Sequence, residues 1–147
     1  MQRPLWQCPK CKREFANRNQ THTCGLHSLD DHFAGKDVIV RELFDAFVEA
    51  LRTFGDFRIL PEKTRIAFQV RMSFAQVTTK RSFLDGHLVL ARRAEDPIFR
   101  KLETFSPRNH VHYFRLSTVA DLSPAFLGFL GEAYAVGCQK HLGNSNS

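Results

Sequence analysis

The stretch "CPKCKREFANRNQTHTCGLH", residues 8 to 27, concentrates side chains that can hold a metal: three of the chain's four cysteines and two of its seven histidines. Cys8 and Cys11 flank Pro9-Lys10, a spacing at which a tight turn presents two thiolates to one tetrahedral ion. A second ligand pair is expected some ten to twenty residues on, and His22-Thr23-Cys24 supplies it. In an extended segment residues 22 and 24 face the same side, so both reach one metal. Cys24 with His27 is a competing pair on a turn, and His32 is a third candidate imidazole. Four nitrogen and sulfur ligands leave no open coordination position, so the expected cofactor is a structural zinc rather than a catalytic one. The segment is too poor in aliphatic residues to fold alone, so metal binding would supply its folding free energy. Trp6 and Phe15 would form its small apolar patch. A thioredoxin-like redox pair needs a strand before it and a helix after it, and neither "PLWQ" nor "KREFANRNQ" promises one. A chance cluster of unligated cysteines is the bland alternative. Cys138, in the last helix, reads as an ordinary buried cysteine.

His110 and His112, in "PRNHVHYFRL", form the other chemical pair. Two apart on a strand, they could act as acid and base or share a metal, the makings of a hydrolase for a phosphorylated substrate. No carboxylate at a telling spacing completes such a site. His112 shares a face with Phe114 and Leu116, and the reading favoured over catalysis is a half-buried histidine at a sheet margin. The chain holds no P-loop, dinucleotide fingerprint, nucleophile elbow or His-Glu-x-x-His, and no catalytic residue is assigned.

Charge points elsewhere. The formal net charge of the chain is +6, yet residues 58 to 115 carry twelve Lys or Arg against five acids and net +7. A basic excess in the middle of a chain suits an anionic partner: nucleic acid, a phosphate or carboxylate ligand, or an acidic protein. It equally suits a merely solvated surface. Lys63, Arg65, Arg71, Lys80, Arg81, Arg92 and Arg93 are the candidate anion contacts. A third reading is a protein-interaction adaptor, with an apolar patch near Trp6 as its surface.

These residues need elements to position them. Between Asp37 as N-cap and Gly55 as stop, Val40, Leu43, Phe44, Phe47, Val48, Leu51 and Phe54 recur at helical steps, which predicts a helix over 38–54. "KTRIAFQVRMSF" reads as one strand, with Ile66, Phe68, Val70, Met72 and Phe74 toward the core. Arg65, Ala67, Gln69, Arg71 and Ser73 would then form an open polar face. "FRIL" before Pro61, "AQVTTK", "SFLDGHLVLAR" and "HVHYFRL" are further strand candidates. Ser123 and Pro124 open a closing helix over 124–141, with Phe126, Leu127, Leu130, Ala133 and Tyr134 as its buried stripe. The order predicts an α+β fold: an antiparallel sheet with two helices packed on one face, plus a small N-terminal zinc-binding clip. The boundaries are a clip at 1–36, the α+β domain at 37–141 and a flexible tail at 142–147. The first ten residues hold no apolar run of signal-peptide length, and no stretch is long enough to span a membrane, so a reducing, cytoplasmic setting is expected.

"LWQCPKCKREF", "RNQTHTC", "DDHFAGK", "KTRIAFQVRMSFA", "NHVHYFRL" and "EAYAVG" together resemble an uncharacterised bacterial family over nearly the whole chain. From about residue 37 the chain also resembles the domain of unknown function that ends proteins labelled predicted transport proteins. The resemblance implies Cys8, Cys11, His22 and Cys24 as the metal set, with His27 outside it. It implies no activity. The function expected is a zinc-stabilised binding module for an anionic partner, nucleic acid foremost.

Overall fold

The computed structural model describes residues 5–7, 14–15 and 28–139. Two short strands, β1 (Trp6–Gln7) and β2 (Glu14–Phe15), pair antiparallel with Trp6 opposite Phe15 and Gln7 opposite Glu14. A 3-10 turn at Asp30–Phe33 then leads into α1 (Val38–Arg52). Four strands follow: β3 (Arg58–Pro61), β4 (Ile66–Gln69), β5 (Ser73–Thr79) and β6 (Leu84–Leu90). After a ten-residue loop come β7 (Lys101–Ser106) and β8 (Asn109–Leu116), a short 3-10 turn, and α2 (Pro124–Gly137). The last six strands form one antiparallel sheet in the order β3-β4-β5-β6-β8-β7, so β8 inserts between β6 and β7.

Both helices lie on one face. Register and strand alternation put Ile66, Phe68, Val77, Leu84, Leu88, Phe114 and Leu116 on that face, all of them buried. Phe47 of α1 stacks on Phe114 with ring centroids 5.8 Å apart, and Phe126 of α2 meets the same ring edge-on at 5.0 Å. The helix stripe Val40, Leu43, Phe44, Phe47, Val48 and Leu51 is buried as its spacing requires. Phe54 falls outside it, because α1 ends at Arg52 and Phe54 is exposed. Asp37 occupies the N-cap position without a side-chain cap bond, whereas the Ser123 hydroxyl accepts from the Phe126 N–H. In α2 the stripe is Phe126, Leu130, Ala133 and Val136; Leu127 points outward and Tyr134 is half-buried. Cys138 is the C-cap of α2 and half-buried rather than a core residue.

The single strand expected over 65–74 is a hairpin. β4 ends at Gln69, β5 begins at Ser73 opposite it, and Val70-Arg71-Met72 makes the turn. The Gly137 carbonyl at the end of α2 accepts from both the Arg71 and Met72 N–H groups, so helix α2 fastens this turn. The sheet also shifts register here. Phe68 pairs with Ala75 and Gln69 with Ser73, leaving Phe74 as the extra residue of a bulge. That kink lets Phe74 pack against α2, at Tyr134 and Gly137, although Ala75 beside it also faces the core. Gly137 is there for space: a Cβ would sit 2.4 Å from the Phe74 ring. β7 has no counterpart among the expected strands. It is an edge strand with polar side chains, recognised only by its pairing with β8.

A candidate anion-binding trough

On the uncovered face two rows of side chains run across the strands. One is Thr78, Asp85 and Arg115, and the other is Gln76, His87, Tyr113 and Lys101, each set aligned by the register of β5, β6, β8 and β7. The rows sit two residues apart along each strand, about 7 Å. Gly86 and Phe114 lie in the row between. The trough so formed has a volume of about 460 Å³, with Lys80 from the end of β5 and Arg100 from the approach to β7 also on its rim.

The trough is cationic. Its lining holds Lys80, Arg100 and Lys101 against one carboxylate, Asp85. Arg115 grips that carboxylate with two nitrogens, at 2.7 and 3.3 Å, and Phe83 stacks under the guanidinium at 4.1 Å. The hydrogen bond to Asp85 holds Arg115 above its usual basicity. Among the described residues neither Lys80 nor Arg100 has an ion-pair partner. At the other wall Tyr113 donates to Glu103 at 2.6 Å, and Lys101 approaches the same carboxylate at 3.4 Å. The tyrosine's hydrogen bond is the main reason Glu103 titrates below its usual range, and it raises Tyr113 in turn. His87 meets the Tyr113 ring edge-on at 5.5 Å. Burial lowers its pKa to about 4, with the Arg65 charge adding to the effect and Glu103 opposing it. The imidazole is therefore neutral near pH 7, with one nitrogen donating and one accepting.

The seven expected anion contacts do not share a surface. Lys80 lines the trough, and Arg65 is near enough to lower His87 while itself paired to Glu62 at 3.2 Å. Arg71 sits in the β4–β5 turn and donates to the Gln139 side chain at 2.8 Å, so Arg65 and Arg71 are not a row on one strand. Arg92 makes a two-pronged contact with Glu132 at 2.9 and 2.8 Å. Arg93 donates to Thr104 at 2.7 Å. Lys63 and Arg81 are exposed in the bends before β4 and after β5. Sequence reasoning missed His87, Arg100, Lys101 and Tyr113. His87 and Tyr113 were already within recognised strands, but only cross-strand pairing brings them side by side.

His110 and His112 face the helix side, away from the trough, and both are buried. The backbone N–H of Ala94 donates to His112 Nε2 at 2.9 Å, so Nδ1 carries the proton and donates to the His110 carbonyl at 2.9 Å. Burial keeps His112 below its ordinary pKa. The His110 Nε2 donates to the Pro107 carbonyl at 3.0 Å, which leaves Nδ1 to accept from the Thr104 hydroxyl at 2.9 Å. Thr104 Oγ1 in turn accepts from Arg93. Both imidazoles thus spend both ring nitrogens inside the protein. With Phe99 packed on its ring at 4.8 Å, His112 is the peg that holds the 91–100 loop.

Cys8, Cys11, His22, Cys24 and His27 lie outside the described residues. His32 is described: it is buried in the first 3-10 turn, and its carbonyl accepts from the Thr79 hydroxyl. Among the described residues no three His, Cys, Asp or Glu side chains group as a metal site, and no helix is long and apolar enough to cross a membrane.

Residues 29–137 match the family described as a domain of unknown function, DUF5655, and the chain belongs to it. No curated protein and no solved structure matches the chain.

Proposed function

We propose that this member of the DUF5655 family is a binding module for an anionic partner, nucleic acid foremost, and that the uncovered face of its sheet is the binding surface. The observation that carries the reading is the convergence on one trough of Lys80 and Arg100, which have no ion-pair partner among the described residues, while the carboxylates beside them, Asp85 and Glu103, are offset by Arg115 and Lys101. Cations at the rim meet phosphates and release counterions, while the neutral floor adds no repulsion. The reading moves the surface from the expected row of Arg65 and Arg71 to the centre of the sheet. The N-terminal clip belongs to the same proposal: Cys8, Cys11, His22 and Cys24 hold a structural zinc. The pairing of Trp6–Gln7 with Glu14–Phe15 supports it, since Cys8 and Cys11 both fall in the short segment those two strands enclose.

The test is fluorescence anisotropy with labelled single- and double-stranded oligonucleotides from 50 to 300 mM salt. A Lys80→Glu/Arg100→Glu variant should bind more weakly at every salt concentration. Its salt slope on a single strand should be shallower by roughly 1.4, the share of two phosphate contacts. Lys63→Glu, a charge change in an exposed bend, should retain most of the binding. No binding at 50 mM salt, or equal binding by the double variant, refutes the proposal.

A further inference from the structure

We infer that the trough is a subsite for one nucleotide unit, a flat base lying between its two walls with the attached phosphate on the cationic rim. The inference rests on the anion-binding reading above and names what that surface recognises.

Three features of the trough carry it. The first is size. The trough holds about 460 Å³, within the roughly 300–1,000 Å³ of small-molecule sites, which leaves room for one base. The second is the chemistry of the walls. Tyr113 and His87 meet edge-on with their planes at 69°, and Lys101 Nζ lies 5.4 Å from the Tyr113 ring centroid, so this wall offers a base aromatic surface and a cation together. Opposite, Thr78 and Asp85 line the trough, and Arg115, outside that lining, neutralises the Asp85 carboxylate through two nitrogen–oxygen contacts. Gln76, Thr78 and His87, also in the lining, add donors and acceptors for the polar edge of a base. The third is the placement of charge. Lys80 stands at one end of the trough and Arg100 with Lys101 at the other, so a phosphate attached to the buried ring meets a cation on leaving in either direction. A duplex keeps its bases stacked inside, and only an unpaired base or a free nucleotide can enter.

Binding would be measured on the full chain by anisotropy of three labelled ten-unit strands: oligo-dT, oligo-rA and an abasic phosphodiester of equal charge. The duplex of the same length is the fourth probe, and AMP and TMP serve as competitors. Base-bearing single strands should bind at least tenfold tighter than the abasic strand or the duplex. Tyr113→Ala should weaken base-bearing strands tenfold or more and leave the abasic strand unchanged, while Tyr113→Phe retains affinity. Thr78→Trp, which fills the trough from the uncovered face and spares the core, should abolish the preference for bases even if Tyr113→Ala unfolds. Competition by AMP or TMP as strong, per site, as by the oligomer identifies a free nucleotide as the ligand; weak competition identifies a strand. Equal affinity for base-bearing and abasic strands overturns the subsite and leaves the anion-binding reading standing. No binding of any probe overturns both.

Discussion

Protonating His87 should cost the fold measurable stability, because the native state holds this imidazole neutral. Its pKa is lowered from 6.5 to about 4, chiefly by burial. The unfolded chain therefore binds the proton first as pH falls, so the contribution is fully present above about 6.5, declines toward 4, and is flat below that. Between pH 7.5 and 5.0 those two pKa values give a loss of about 2 kcal/mol from this one group. That is a large share of a typical folding free energy of about 5–15 kcal/mol. At a urea sensitivity of about 2 kcal/mol per molar, the unfolding midpoint moves by about 1 M. The perturbation is His87→Gln, which keeps hydrogen-bonding capacity and removes the titration. Urea unfolding followed by circular dichroism at both pH values gives the two differences. His112 titrates in the same direction, but it is present in both proteins and cancels in the comparison. The variant should lose about 2 kcal/mol less than the parent over this range. Equal losses in the two proteins would refute the placement of a neutral, desolvated imidazole in the trough.

Two other outcomes are expected. His112→Leu leaves the Ala94 N–H and the His110 carbonyl without the partners they have now, so it should destabilise the protein by roughly 2–4 kcal/mol. Hydrogen exchange should show the Ala94 amide losing protection, and a variant as stable as the parent would remove the peg from the 91–100 loop. Purified protein should carry one zinc per chain by elemental analysis, with Cys24→Ser losing it and releasing no second metal; metal-free protein with all four cysteines reduced would reject the zinc clip.

Sequence alone was enough for the elements whose signal is local. The apolar residues of α1 recur with helical period over about three turns, and Ser123-Pro124 is a start signal that caps α2 through the Ser123 hydroxyl. The strands β3, β5, β6 and β8 lie inside stretches rich in β-branched and aromatic residues, and their number and order with two helices already implied an α+β sheet. The inward face at Ile66, Phe68 and Phe74 was also legible, since these are large apolar side chains in a strand context. The metal ligand set rests on spacing alone and falls outside the described residues.

Tertiary structure decided the rest. Nothing in Val70-Arg71-Met72 is a turn former. The reversal there is held by the Gly137 carbonyl, which comes from a helix more than sixty residues away, and by a bulge that lets Phe74 and Ala75 both face the core. One continuous alternation therefore read as one strand, and Arg65 and Arg71 were placed in a row that the hairpin breaks. β7 has too little apolar surface to announce itself and exists because β8 offers it an unpaired edge. The trough is the clearest case. Gln76, His87 and Tyr113 sit far apart along the chain on three strands and become neighbours only through register. The burial that sets the charge of His87 does not exist until the sheet has formed. Local sequence carries the period of an element, but it cannot carry which strands pair, in what register, or which polar groups that pairing takes out of water.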